Sequence, residues 1–142
     1  MPGFVAAIAS AEFGNWSICK KHGIWGVASG NNANKAAQMV KPGDSIFVWR
    51  SKDANGRGGL FARTEATGRA VPAVRPPWPN GARYSYTIPV KFTHEIEVPI
   101  GDSFPGNKTS ILFEIENMWV TWGFWHLPDH VAAKMGAALH HR

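Results

Sequence analysis

The sequence predicts an α+β domain, a curved sheet or open β-barrel flanked by short helices. Apolar runs of strand length recur through most of the chain. The 142 residues include 15 glycines and 10 prolines, a composition that favours strands and turns over long helices. Three stretches carry helix signals, and each is short.

In chain order, FVAAIAS at residues 4–10 is an apolar run of strand length. Asn15 can cap a helix over residues 15–22, and Gly23 can end it. GIWGVA follows as a brief strand or turn, with Trp25 in a tight Gly-Ile-Trp-Gly setting. NNANKAAQMVK, residues 31–41, is alanine-rich and helical, closed by Pro42-Gly43. DSIFVWRS, residues 44–51, is apolar on both faces and predicts a central strand. SKDANGRGG is a turn, and LFARTEATGRA at 60–70 alternates as a half-buried strand. A proline-rich loop spans 71–82. Strand resumes over 84–100, where Pro89 implies an edge or a bulge. After the loop GDSFPGNKTS, an apolar run carries Trp119, Trp122 and Trp125, which are expected to pack. Pro128 starts a last helix. No repeat or linker interrupts the chain, so residues 1–142 are expected to form a single domain.

Composition bounds the function. The chain is 44% hydrophobic and 18% charged, as in an ordinary globule. No apolar run approaches a membrane span, and residues 1–10 lack the basic start of a signal peptide. Cys19 is the single cysteine, so no internal disulfide is possible. A cytoplasmic protein with no membrane partner is expected. The net charge is +5, carried by the first half. Residues 1–75 hold ten Lys/Arg against four Asp/Glu, and residues 76–142 hold five against six. That asymmetry suits an anionic partner met on one side, although basicity also serves solubility.

Signals for catalysis are weak. Cys19 and His22 are three apart on the first helix and share a face, but a lone cysteine is usually a small core residue. SKDANGRGG lacks the Gly-Lys-Ser/Thr end of a P-loop. His126 and His130 have metal-pair spacing, yet Pro128 separates them. Neither a metal nor any other cofactor is expected. Aromatic residues are more informative. Trp25, Trp49 and Trp78 each stand beside turn-formers or polar residues, where indoles can sandwich a base or enclose a methyl group. Trp49 would be core on its strand pattern alone, and Trp25 could plug the sheet's end. Trp78, in RPPWPNG, is the hardest to explain as core.

Residues 15–26, NWSICKKHGIWG, resemble the opening of the YTH domains: an asparagine, a short helix ending in Lys-x-Gly, and a Gly-x-Trp turn. KPGDSIFVWRS resembles the EVE pattern of Lys-x-Gly-Asp followed by an apolar strand ending in an aromatic and Ser. Both families are PUA-like, and the likeness runs in order over about residues 4–100. The resemblance implies a β-barrel-like fold that binds RNA or modified DNA bases. It implies that Trp25 and Trp78 wall a base cage, that Trp49 lines it, and that Asn15 hydrogen-bonds the base edge. Gly26 and Val27 complete the base-binding set. Gly26 replaces the serine of YTH domains, leaving backbone groups and close approach at that point. Gly23 would then end the helix so that Trp25 faces a pocket rather than the core.

The resulting expectation is a non-enzymatic reader of a methylated or hydroxymethylated base, flipped into the cage, in DNA more than RNA. Lys20, Lys21, Arg50, Lys52, Arg57, Arg63 and Arg75 are the candidates for phosphate contacts. A restriction or defence setting fits, with any cleavage supplied by a nuclease or other effector partner. The alternatives are a general RNA-binding PUA-like module, a small ASCH-type hydrolase using Lys20, Lys21 or Glu12, and a module whose aromatics bind a peptide.

Overall fold

A computed structural model describes residues 3–8, 14–50, 58–74, 76–78, 84–100, 108–110, 115–116 and 123–140. Its strands are β1 (Gly3–Ile8), β2 (Ile24–Ala28), β3 (Ser45–Arg50), β4 (Gly59–Ala66), β5 (Val71–Pro72), β6 (Tyr84–Ile100), β7 (Lys108–Ser110), β8 (Ile115–Glu116) and β9 (Phe124–Leu127). The helices are α1 (Gly14–His22), α2 (Asn31–Ala37) and α3 (Asp129–His140). The main sheet runs β2-β6-β4-β3-β1-β9, with β5 also on β6, while β7 and β8 form a separate ribbon. This is the curled sheet with short marginal helices that the sequence predicts.

Among the described strands, only β1 and β3 pair in parallel. Parallel neighbours require a crossover, here supplied by α1, β2 and α2. The 17-residue β6 is the strand that bends the sheet. Its first part pairs with β2 and β5, and its second part pairs with β4. Pro89 stands where the partners change, opposite Ile24, and its carbonyl accepts the Thr67 N–H at 2.8 Å. The edge or bulge expected from this proline is therefore a corner inside a central strand. Register shifts between β4 and β6, at Leu60/Ala62 and Arg63/Thr64, add to the bend.

Alternation along β1 and β3 divides the core in two. Phe4, Ala6, Ile46 and Val48 join an inner cluster with Trp16, Cys19, Trp25, Phe61, Trp78 and Phe124. Val5, Phe47 and Trp49 point the other way, to Leu60, Leu127 and the α3 residues Val131, Met135 and Leu139. β3 is thus buried on both faces, as its unbroken apolar run requires. α2 buries Ala33, Ala36 and Ala37 and packs against both β2 and β9, the two ends of the sheet order. Alanines let the helix approach closely, so α2 bridges the ends of a sheet that does not close.

Several boundaries differ from the sequence reading. α2 ends at Ala37 and passes into a turn, short of Pro42. GIWGVA takes the strand alternative of its reading, as β2, while Val71–Pro72 of the expected proline-rich loop is held by β6. The run at 60–70 ends as strand at Ala66. Trp119, Trp122, Glu12 and most of SKDANGRGG lie outside the described residues. Trp125 is half-buried and packs against both clusters, as expected for a core aromatic.

Gly23 ends α1 as the sequence predicts. It takes φ +64°, and its N–H donates to the Cys19 carbonyl at 2.8 Å. A side chain would be strained there and would also meet the Val90 carbonyl at 3.4 Å. Gly23→Ala should cost about 1–2 kcal/mol of stability, the penalty of a left-handed L-residue. Gly30 is extended with open space around it, so Gly30→Ala should cost nothing. Urea unfolding of both variants checks the contrast, and an equal loss would remove the role assigned to Gly23.

Candidate nucleic-acid interface

Two elements and one loop build the candidate site. α1 offers Asn15, Trp16 and Cys19 along one side, because positions three and four apart share a helix face. β2 follows at once and presents Trp25, Gly26 and Val27 beside β6. The loop after β5 carries Trp78 over them.

Trp78 lies against Gly26. A Cβ at residue 26 would fall 2.7 and 2.8 Å from the far edge of the Trp78 indole and 3.0 Å from Tyr84. The residue must therefore be glycine for the ring to rest where it does. Trp78 also leans on Tyr84, with ring centroids 4.8 Å apart. The Tyr84 hydroxyl accepts a hydrogen bond from the Asn15 amide at 3.2 Å. Trp16 stands edge-on to Trp25 at 6.3 Å, and to Phe61 and Phe92 at 4.9 and 5.2 Å.

The aromatic packing is close, but its polar atoms are not all satisfied. Trp16, Trp25 and Trp78 each bury an indole nitrogen with no hydrogen-bond partner among the described residues. A buried donor left unpaired costs about 1–3 kcal/mol. Burial pushes the Cys19 thiol up from 9.0 to about 11, opposed in part by the Trp78 indole and by backbone groups including that of Gly26. The indole N–H polarises the sulfur without meeting hydrogen-bond geometry. Cys19 is thus a protonated thiol at neutral pH, while His22 is exposed, so the two do not make an activated nucleophile.

The sequence-selected residues divide between two faces. Asn15, Trp25, Gly26, Val27 and Trp78 come together on the inner side. Trp25 and Trp78 are only 5% and 4% exposed. The expectation that Trp25 faces a pocket rather than the core is corrected: it is a member of the inner core cluster. Trp49 does not join them. β3 turns it to the α3 side, so a pocket walled by Trp25, Trp49 and Trp78 is not assembled. Asn15 lies inside the first turn of α1 rather than ahead of it.

The basic candidates are also separated. Lys20 and Lys21 end α1 on the inner side, where Lys20 pairs with Glu95 at 2.9 Å and Lys21 is exposed. Arg63 is on the opposite face, beside Phe47. Arg50 is half-buried at the end of β3. Lys52, Arg57 and Arg75 lie outside the described residues. Sequence reading missed Tyr84, which contacts three of the site residues. The alternation of SYT around it gave no sign of that role. Among the described residues no group of three His, Cys, Asp or Glu could hold a metal ion. No described helix is long and apolar enough to cross a membrane.

Two outcomes follow from this packing. Gly26→Ala should expel the Trp78 ring, raising its quenching by acrylamide and red-shifting the emission, at a cost of about 1–3 kcal/mol. Unchanged emission would show that the ring has room to spare. Because the Cys19 pKa is raised on folding, its contribution is present below pH 9 and is lost as pH rises toward about 11. A shift of this size corresponds to about 3 kcal/mol. Urea unfolding of wild type and Cys19→Ala between pH 8 and 11 should therefore show a steeper decline for wild type. Parallel declines would count against a buried thiol.

No family profile matches the sequence, and no curated protein does. Solved structures do resemble this one. A hypothetical protein from Leishmania major superposes with TM-score 0.68 at 12% identity, over 99% of this chain and 96% of that one. The Toxoplasma CPSF4 YTH domain, solved with a 7-mer m6A-modified RNA, gives 0.63 at 14% identity, over 99% and 92%. The YTH domain of Zygosaccharomyces rouxii MRB1, solved with N6-methyladenosine RNA, gives 0.59 at 16%, over 97% and 83%. The chain has the PUA-like α+β fold of the YTH domains.

Proposed function

We propose that this chain is a non-catalytic reader of a modified base in nucleic acid, bound at the Asn15–Trp25–Gly26–Trp78 cluster. The observation that carries the reading is the Trp78 ring lying on the Gly26 backbone and against Tyr84, whose hydroxyl holds the Asn15 amide. Further support comes from the shared fold, since the Toxoplasma and Zygosaccharomyces domains were solved with m6A RNA.

On this reading the target base leaves its stack and displaces Trp78 from Gly26. It then stacks on Trp78 over the Gly26 backbone, and stacking on an aromatic side chain contributes about 1–3 kcal/mol. Asn15 exchanges its bond to Tyr84 for the base edge, where an amide can both donate and accept. Gly26 offers backbone groups at close range. A base methyl adds roughly 0.8 kcal/mol when fully buried, so selectivity depends on shape as well as apolar area. Lys20 and Lys21 meet phosphates beside the cluster. The protonated Cys19, and the lack of a charged group among the described residues packed on Trp78, both favour binding over chemistry. Any cleavage of the target belongs to an effector such as a nuclease.

The EVE-like residues favour DNA, whereas the ligands of the solved neighbours favour RNA. Tryptophan fluorescence titration has an arm for each. Single strands and duplexes carrying 5-methylcytosine, 5-hydroxymethylcytosine or 6-methyladenine are compared with unmodified strands and with m6A RNA. One modified strand should bind at least tenfold tighter than its unmodified match. Trp78→Ala should weaken that binding by about 10–100-fold, the loss of one stacking partner. Asn15→Ala, which alters a half-buried polar group, should erase base preference while the chain stays folded. Equal, salt-sensitive binding to every strand, unaffected by either substitution, would leave a general nucleic-acid binder instead.

A further inference from the structure

A cavity lies on the α3 face of the sheet, opposite the inner cluster. It measures about 460 Å³ and is lined by Ser45, Phe47, Arg63, Asp129 and the small α3 residues from Ala132 to Ala137. Gly3 and Ala132 bring α3 hard against β1, since a Cβ on Gly3 would come within 2.7 Å of the Ala132 methyl. One turn further on, Ala133, Gly136 and Ala137 are too short to fill the space over Phe47. The cavity belongs to the α3 side of the sheet, away from Trp25 and Trp78.

Its polar groups are fixed and of opposite sign. Arg63 donates from Nε and Nη2 to the Ser45 hydroxyl oxygen at 3.2 and 2.8 Å, and its guanidinium sits 5.7 Å from the centre of the Phe47 ring. These contacts hold the guanidinium in place. Its remaining N–H groups meet no carboxylate within ion-pair distance among the described residues. Ser45 is 6% exposed and accepts twice from Arg63, so its own proton is left to donate. Donors thus converge at one end. Asp129, an exposed carboxylate at the start of α3, lines the same cavity without pairing to Arg63. An oxyanion fits the Arg63–Ser45 end, and a dianion such as phosphate is opposed by Asp129.

We propose that this cavity binds a small zwitterion, a free α-amino acid, with its carboxylate on Arg63 and Ser45 and its ammonium toward Asp129. The volume is within the range of small-molecule sites and admits the larger amino acids. The side chain lies against Phe47 and the alanines of α3.

Ligand-observed NMR on the full chain with each of the twenty L-amino acids, and with inorganic phosphate, tests the assignment. At least one amino acid should bind, and both its amide and its N-acetyl derivative should bind at least tenfold more weakly. Ala137→Leu fills the mouth from an exposed helical position and should abolish binding without loss of helix signal. Arg63→Gln should remove the requirement for the carboxylate, and Asp129→Asn the requirement for the ammonium. Binding of no amino acid, equal binding of the amide, tighter binding of phosphate, or binding undisturbed by Ala137→Leu would each overturn the proposal. Nucleic-acid titration should be unchanged in Ala137→Leu, so the failure of one reading is separable from the failure of the other.

Discussion

Everything in this fold depends on β6 changing partners partway along its length. A strand that kept one pair of neighbours would give a flatter sheet with two equivalent faces. Here Pro89 has no N–H to commit at the point where β2 and β5 give way to β4. The sheet bends there, and its concave side receives Trp16, Trp25 and Trp78 together with α1. Its convex side receives α3. α2 then packs its alanines against β2 and β9, the two ends of the described strand order. The inner aromatic cluster is thus a consequence of curvature, and curvature is a consequence of one strand.

Much of this was legible from local chemistry. Gly23, with its left-handed backbone, ended a short helix as its position required. Apolar residues on both faces of SIFVWR announced a central strand, and Pro89 announced a break in regular pairing. The resemblance to YTH and EVE patterns pointed to the PUA-like fold. What sequence could not supply was the direction of a side chain on a strand buried on both sides. Trp49 and Val48 are adjacent and equally buried, and only the pleat decides that they enter different clusters. Arg63 was counted with the other cations for the same reason, although β4 sends it to the α3 face. Tyr84 was missed because its role arises from contacts with residues 58 and 69 positions away.

The inner cluster combines good shape with poor polar satisfaction, and that combination bears on what it accepts. Trp16, Trp25 and Trp78 are each at most 5% exposed, and their three indole N–H groups are enclosed without acceptors among the described residues. A purely apolar ligand would leave that cost in place, whereas one bearing carbonyl oxygens or ring nitrogens could offset it. A nucleobase has both a flat face for the rings and acceptors at its edge. The same closure works against affinity, because any ligand must first move Trp78, and the apparent binding constant falls with the fraction of open protein. On the proposed reading, the cost of moving Trp78 is common to modified and unmodified bases, so it lowers both affinities and leaves their ratio unchanged. Discrimination then has to come from contacts that the added group alone makes, and a close-fitting aromatic wall is the surface on which such a group buries most area.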